Sequence, residues 1–290
     1  MNPFVINWHV TEACNYRCHY CYAQWEQLDR RDLIRDPVAT RSLLAALFAH
    51  FGADAARPRP RLNFAGGEPL LRPRDLLAAM RAARECGFDV SLITNGSRLD
   101  EGLVDELAPG LQMLGISLDA DDAPSMAAIG RQDARGRQVD LARLARLVAR
   151  AREINPALAI KLNTVVCAAN WQADLAPLVA SFAPRRWKVL RMLPVLRDDL
   201  AVSDAQFQSF VARHQPLRDV MEVEDNDAMS GSYIMVDPSG RFFQNRAAGG
   251  GYEHSPPIVA AGAASAFASV QWSPVKFDGR YTAPARGGAA

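Results

Sequence analysis

Residues 13–25 read ACNYRCHYCYAQW and place three cysteines, Cys14, Cys18 and Cys21, within eight residues of a chain that has only five. The spacing is C-x3-C-x2-C. Cys86 and Cys167 lie far along the chain; either could in principle supply a fourth ligand, but neither belongs to a pair. A structural zinc site closes with four ligands, commonly from two C-x2-C pairs, and a closed iron–sulfur cluster also takes four cysteines. A set of three leaves one position open, which suits a reactive cluster that must admit a small molecule. The alternative is a zinc knuckle completed by His9 or His19. An odd cysteine count with three bunched together is a poor disulfide framework, so the expected compartment is the reducing cytoplasm.

Outward from this stretch the chain alternates strand-like and helix-like runs. FVINWHVT (4–11) precedes the cysteines and LLAALFAHF (43–51) follows them. RLNFA (61–65) leads to DLLAAMRAAREC (75–86), DVSLIT (89–94) to DEGLVDELA (100–108), and MLGISLDA (113–120) to VDLARLARLVARARE (139–153). AIKLNTVV (159–166) leads to WQADLAPLVASF (171–182), and RWKVLRMLPV (186–195) to DAQFQSFVARH (204–214). Six strand–helix units in series predict parallel strands with crossover helices. The expected fold is α/β: a partial (βα)6 TIM-like barrel over 1–215 and a C-terminal extension over 216–290. Within the extension, SYIMVDPSGRFFQN (232–245) reads as a hairpin around D-P-S-G, and the Ala/Gly-rich end, TAPARGGAA, as a disordered tail.

Lysine and arginine exceed aspartate and glutamate by one, 33 against 32. Binding nucleic acid through a global basic field is therefore not expected. The N-terminus MNPFVINWHVTEAC lacks the basic and apolar regions of a signal peptide, and no apolar run reaches the length of a membrane span. Neither a nucleic-acid nor a membrane partner is expected.

Three further segments stand at the ends of predicted strands. NFAGGEPL (63–70) carries Gly66, Gly67 and Glu68, ITNGS (93–97) carries Asn95 and Ser97, and ISLDA (116–120) carries Ser117. Glycines at 66 and 67 let backbone approach closely, and catalytic groups of such barrels gather at the C-terminal ends of strands. With Tyr20 just before the third cysteine, this set resembles the radical SAM superfamily. The resemblance implies a 4Fe–4S cluster on Cys14, Cys18 and Cys21, and S-adenosylmethionine (SAM) chelating the fourth iron. Tyr20, Gly66, Gly67, Glu68, Asn95, Ser97, Ser117 and Arg131 would then lie along SAM.

Basic and amide side chains also occupy strand positions. Arg61 opens the second strand, with Asn63 two residues on; Lys161 and Asn163 share a face of the fifth, and Arg186 and Lys188 a face of the sixth. Charges on central strands need paired anions, which a polyphosphate inside the barrel would supply; the alternative is an edge position with the charges solvated. NWHVTEACNYRCHYCYA, LNFAGGEPLL, IGR (129–131), IKLNTVV, RRWKVLRMLPV and DNDAMSGSYIMVDPSGRFFQN resemble, in order over residues 5–245, the viperin family of radical SAM nucleotide dehydratases. That resemblance implies conversion of CTP, GTP or UTP to the 3′-deoxy-3′,4′-didehydro nucleotide, a viral RNA chain terminator. The 5′-deoxyadenosyl radical takes the ribose 4′ hydrogen and the 3′ hydroxyl leaves as water. Arg61, Asn63, Lys161, Asn163, Arg186, Lys188 and Arg280 would bind the nucleotide, and Tyr233 would deliver the final hydrogen atom. An electron donor such as flavodoxin or ferredoxin, antiviral defence and a monomeric state are further expectations.

The chain departs from the family pattern after Asn245, where RAAGGGYEH lacks lysine, and in the tail, where FDGRYTAPARGGAA offers Gly279, Arg280 and Tyr281. Arg246 and Arg280 would replace the missing charges, and residues 246–290 are expected to be loose without nucleotide and to close over it. Competing readings are a radical SAM enzyme for another small anion or a peptide, and a zinc-binding interaction protein. A peptide maturase would carry further cysteines toward its C-terminus, and none follows Cys167. Trp8, Trp25, Trp187, Cys86 and Cys167 read as packing residues, and His9 as one that packs or hydrogen-bonds near the cysteines.

Overall fold

Asp36 opens the first long helix: its carboxylate accepts from the backbone N–H of Val38 and Ala39, and Pro37 takes the first helical position. The computed structural model describes residues 2–23, 32–246 and 251–280. Trp25, Tyr281 and the terminal stretch from 281, on which expectations were placed, lie outside the described residues, as do 247–250. Along the chain come β1 (Val5–His9), α1 (Pro37–Phe51), β2 (Arg61–Ala65), α2 (Pro73–Glu85), β3 (Asp89–Thr94), α3 (Glu101–Leu107) and β4 (Met113–Ser117). Then follow α4 (Ala123–Ile129), α5 (Leu141–Ile154), β5 (Ala159–Val166), α6 (Ala176–Phe182), β6 (Arg186–Arg191) and α7 (Asp204–Arg213). The C-terminal part holds β7 (Met221–Glu224), α8 (Asn226–Met229), β8 (Ile234–Val236), β9 (Phe243–Asn245), β10 (Tyr252–His254), α9 (Ile258–Ala261), α10 (Ala263–Ala268) and α11 (Pro274–Gly279).

Eight strands form one sheet in the order β7-β6-β5-β4-β3-β2-β1-β8, with every neighbouring pair parallel. The sheet curls into an open half-barrel, the fold anticipated from the strand–helix alternation. It continues past residue 215, since β7 joins one edge beside β6 and β8 joins the other beside β1.

Residues alternate between the two faces of each strand. Ile6, Trp8, Leu62, Phe64, Leu92 and Trp187 are fully buried in one core with Leu43, Leu47, Leu76 and Leu144 of the helices. Burying each such side chain stabilises by about 1.5–3 kcal/mol. Leu144, Leu147, Val148 and Ala151 form the apolar stripe of α5, which starts after the Asp140 cap rather than at Val139. The opposite face of the strands lines the hollow of the half-barrel, where Asn7, Ser117, Lys161, Asn163 and Lys188 are interspersed with small and aliphatic side chains. One face in the core and one in the hollow is why the strands alternate instead of reading as continuous apolar runs.

The expected 232–245 hairpin is divided. The D-P-S-G turn forms, with Gly240 N–H donating to Asp237 O at 3.0 Å, and Val236 bridges antiparallel to Phe242. Ile234 and Val236, however, are fully buried beside β1, and β9 pairs with β10 instead. Burial of the two aliphatic side chains outweighs a local two-stranded pairing, which is marginal by itself. Among the described residues no helix is long and apolar enough to cross a membrane.

Candidate active site

The loop after β1 carries the three cysteines to the C-terminal mouth of the half-barrel. It is held from two sides by backbone. Gly67 N–H donates to Thr11 O at 2.7 Å and Glu68 N–H to Ala13 O at 2.8 Å; His19 N–H donates to Ile129 O at 2.9 Å. A Cβ on Gly67 would stand 2.2 Å from Ala13 O, and one on Gly66, whose φ is 141°, 2.6 Å from Thr11 O. The glycine pair is thus required for backbone to meet the cysteine loop, a role distinct from the ligand approach expected of it.

Glu68 is fully buried and turned away from the hollow. Its carboxylate accepts from Leu70 N–H at 2.9 Å, Thr94 Oγ1 at 2.8 Å and Asn95 N–H at 2.8 Å. Burial raises its pKa, opposed by these donors. It therefore ties the ends of β2 and β3 together. Asn95 in turn receives Ser97 Oγ at 2.6 Å and reaches Asn15 Oδ1 at 3.1 Å. Across the mouth, buried Asp119 accepts from Tyr20 Oη, from Arg131 Nη1 at 2.7 Å and from Val165 N–H at 2.7 Å. Arg131 also donates to Ser117 O.

A cavity of about 270 Å³ runs from the cysteines down into the hollow. Cys14, Cys18, Cys21 and Tyr20 line its mouth; Gly66, Gly67, Asn95, Ser117 and Arg131 its rim; Lys161, Asn163, Lys188 and Tyr233 its depth. Lys161 has no hydrogen-bond or ion-pair partner among the described residues. Burial, then Lys188, Arg61 and Arg186, push its pKa well below the usual lysine range. Lys188 donates to Glu224, and burial together with Arg280 pulls it down to about 8 against that carboxylate. His9, also on the wall, packs edge-on against Tyr22 and Phe243. Burial pulls its pKa to about 3, which keeps the imidazole neutral.

Six expected contact residues do not line the cavity. Glu68 and Ser97 are engaged as described. Asn63 donates to Asn7 Oδ1 at 2.8 Å and accepts from Ser91 Oγ at 2.9 Å. Arg61 and Arg186 sit at the N-terminal ends of β2 and β6, where Arg61 donates to Gln112 and Arg186 Nε lies 2.6 Å from Glu222. Strand parity aims both at the hollow, but their position along the strand puts them at its floor. Arg280 follows α11, bonded to Glu224 and stacked on Tyr233. The sequence reading missed Asn7 and Asp119 on the wall, and Glu224 behind it. Asp119 stands two residues beyond Ser117 in a segment already singled out; Asn7 and Glu224 carry no local signal.

Residues 8–166 match the radical SAM superfamily. The S-adenosylmethionine-dependent nucleotide dehydratase of Pseudoalteromonas ulvae is 39% identical over 288 residues, 97% of this chain and 94% of that protein. This chain belongs to the radical SAM superfamily and to its nucleotide dehydratase family, the viperin family. A second member, from Psychrobacter lutiphocae, is 36% identical over 285 residues, 96% of this chain and 94% of its own length. Among solved structures, native anSMEcpe with bound AdoMet matches with a TM-score of 0.62 at 16% identity, over 83% of this chain and 74% of that one, a likeness of fold.

The cofactors of the superfamily are a 4Fe–4S cluster and SAM, and the residues present fit them. Cys14, Cys18 and Cys21 are free thiols facing one cavity. Burial raises all three, Cys18 to about 12 with Asp119 and the other two thiols adding to the rise. Arg131 opposes the rise at all three without offsetting the burial, and iron would supply the further positive charge that thiolates need. Among the described residues no three His, Cys, Asp or Glu side chains gather closely enough for one metal ion. A cluster takes each thiolate on a separate iron.

Proposed function

We propose that this chain dehydrates a ribonucleoside triphosphate, CTP, GTP or UTP, to its 3′-deoxy-3′,4′-didehydro analogue, a viral RNA chain terminator, in antiviral defence. The observation that carries the substrate class is Lys161. A half-buried lysine without a counter-ion among the described residues is costly to charge, and Lys161 stands beside Lys188 and Asn163 in the cavity below the cysteines. A polyphosphate would neutralise it. Arg61 adds positive charge from the floor, where Arg186 is paired with Glu222; behind the wall Arg280 and Lys188 together outnumber Glu224.

In this reading Cys14, Cys18 and Cys21 hold the cluster. Tyr20, Gly66, Gly67, Asn95, Ser117 and Arg131 lie along SAM, with Glu68 and Ser97 supporting that rim. When bound, the cluster and SAM supply the 5′-deoxyadenosyl radical that removes the ribose 4′ hydrogen. The sugar radical then loses its 3′ hydroxyl. Release of that hydroxyl as water needs one further hydrogen atom, which we assign to the phenol of Tyr233 on the cavity wall. The tyrosyl radical left behind takes one electron and one proton, the electron from a flavodoxin- or ferredoxin-type donor. We place the enzyme in the cytoplasm as a monomer. The C-terminal part completes the site through Glu224, Tyr233 and Arg280, while Ile258, Ala266 and Phe277 pack α9, α10 and α11 into the main core; residues 247–250 and 281–290, on which closure over the nucleotide was expected, lie outside the described residues.

The test is anaerobic reconstitution with iron and sulfide, then dithionite, SAM and each triphosphate separately, followed by mass spectrometry. A nucleotide lacking one water, formed one-for-one with 5′-deoxyadenosine, is the expected result and names the base. Deoxyadenosine without a dehydrated nucleotide would overturn the substrate assignment.

A further inference from the structure

Four side chains from four separate elements converge behind the cavity wall. Glu224, the last residue of β7, is 5% exposed and does not line the cavity, whereas two of its partners do. Its Oε1 accepts from Lys188 Nζ of β6 and, at 3.2 Å, from Arg280 Nη2 beyond α11. Its Oε2 accepts from the hydroxyl of Tyr233, beside β8. The Arg280 guanidinium lies 3.3 Å above the centre of the Tyr233 ring, and Lys188 Nζ lies 3.5 Å from the Tyr233 hydroxyl. One carboxylate thus serves two cations and a phenol at once.

We propose that Glu224 is a positioning residue: without nucleotide it occupies the cations that the substrate phosphates will need, and phosphate binding leaves it to Tyr233 alone. The inference rests on the reading above, in which Lys188 and Arg280 meet the triphosphate and Tyr233 yields the last hydrogen atom.

Phosphate and carboxylate compete for the same two cations. A buried carboxylate must be paired, and two cations on one anion leave a net positive charge, to which Lys161, without a partner among the described residues, adds. A triphosphate entering the cavity offers several charge-assisted acceptors against one carboxylate, so it draws Lys188 and Arg280 away. Glu224 then loses the two charges that hold its pKa down at about 2 and becomes a stronger acceptor for its one remaining donor, the Tyr233 hydroxyl. Departure of Arg280 also uncovers the ring. Occupancy of the phosphate site is thereby relayed to the phenol, which stays tied down while the site is empty.

Glu224→Gln keeps the size and removes the charge. In the full-length protein carrying its cluster and SAM, without reductant, we would titrate CTP, GTP and UTP by calorimetry. Freed of its internal competitor, E224Q should bind the preferred triphosphate about tenfold more tightly, the change of one charge-assisted contact. Lys188→Met in the E224Q background should erase that gain. A residue that only braces the fold would weaken binding when replaced, so equal or weaker affinity in a folded E224Q protein overturns the proposal. Should E224Q not fold, the wild-type protein carries the test. Nucleotide binding should produce a near-ultraviolet tyrosine difference spectrum that Tyr233→Phe abolishes, and its absence on saturation overturns the proposal equally. If the wild-type protein binds none of the three triphosphates, the substrate assignment itself fails. If it binds one and E224Q gains nothing, only the role of Glu224 fails.

Discussion

Tyr233 and Glu224 flank opposite edges of an eight-stranded sheet, yet the phenol donates a hydrogen bond to the carboxylate. The sheet curls far enough for β7 and the residue before β8 to meet, and Arg280 and Lys188 close around the contact. Burial alone would raise the Glu224 carboxyl, but the two cations hold it down to about 2. A depressed carboxyl stabilises the fold above its ordinary pKa of about 4.3 and loses that contribution as pH falls through about 2. Unfolding free energies of wild type and Glu224→Gln, measured from pH 5 to 2, should therefore converge by on the order of 2–3 kcal/mol. Parallel curves would refute the pairing.

Lys161 has the opposite sign. Its ammonium is disfavoured in the fold, so the unfolded chain binds more protons and stability rises with pH toward the ordinary lysine range. Lys161→Met should be the more stable protein at pH 7, by on the order of 1 kcal/mol, and the advantage should shrink by pH 10. The same variant should lose nucleotide dehydration. A destabilised K161M protein at pH 7 would mean that the lysine has a counter-ion in the free enzyme.

Gly67→Ala drives a Cβ against backbone at Ala13, and that neighbour cannot rotate away. The expected cost is about 1–3 kcal/mol, with less iron retained after reconstitution while circular dichroism remains native. Full iron content at native stability would place the glycine requirement elsewhere.

Asp119 is 1% exposed and paired to a buried arginine. Asp119→Ala leaves Arg131 uncompensated and frees Tyr20, and should cost about 3–5 kcal/mol in urea unfolding. Arg131→Met with Asp119→Leu should recover much of the stability and none of the SAM cleavage, which separates the packing role of the pair from its place at the cavity rim.

Cys18→Ala tests the cluster. The reconstituted wild type should be brown and bleach in air; the variant should be colourless and should not cleave SAM. A coloured, SAM-cleaving C18A protein would remove this cysteine from the ligand set.

Much of the cavity's lining was legible because its signals are local. Three thiols carried by one short loop can face one cavity together, so the grouping of Cys14, Cys18 and Cys21 could be read from spacing. Gly66, Asn95 and Ser117 could be placed because strand ends announce themselves by a change of residue type. The alternation of Lys161 with Asn163 marked a polar strand face, since side chains on a strand point alternately to its two sides.

Other features depend on contacts far apart in the chain. The glycine pair turned out to meet Thr11 and Ala13, because backbone packing between loops leaves no periodic trace. Arg61, Arg186 and Lys161 carry the same kind of signal, but height in the half-barrel depends on how each strand is registered against its neighbours. That register puts two of them at the floor and one on the cavity wall. The 232–245 hairpin was locally sound and lost to burial of Ile234 and Val236 beside β1. The sequence alone determined which chemistry is available, through ligand spacing and strand-end motifs. Only the folded chain decided which charges meet: Glu224 with Tyr233 and Arg280 is created by the curl of the sheet, and curvature is a property of all eight strands together.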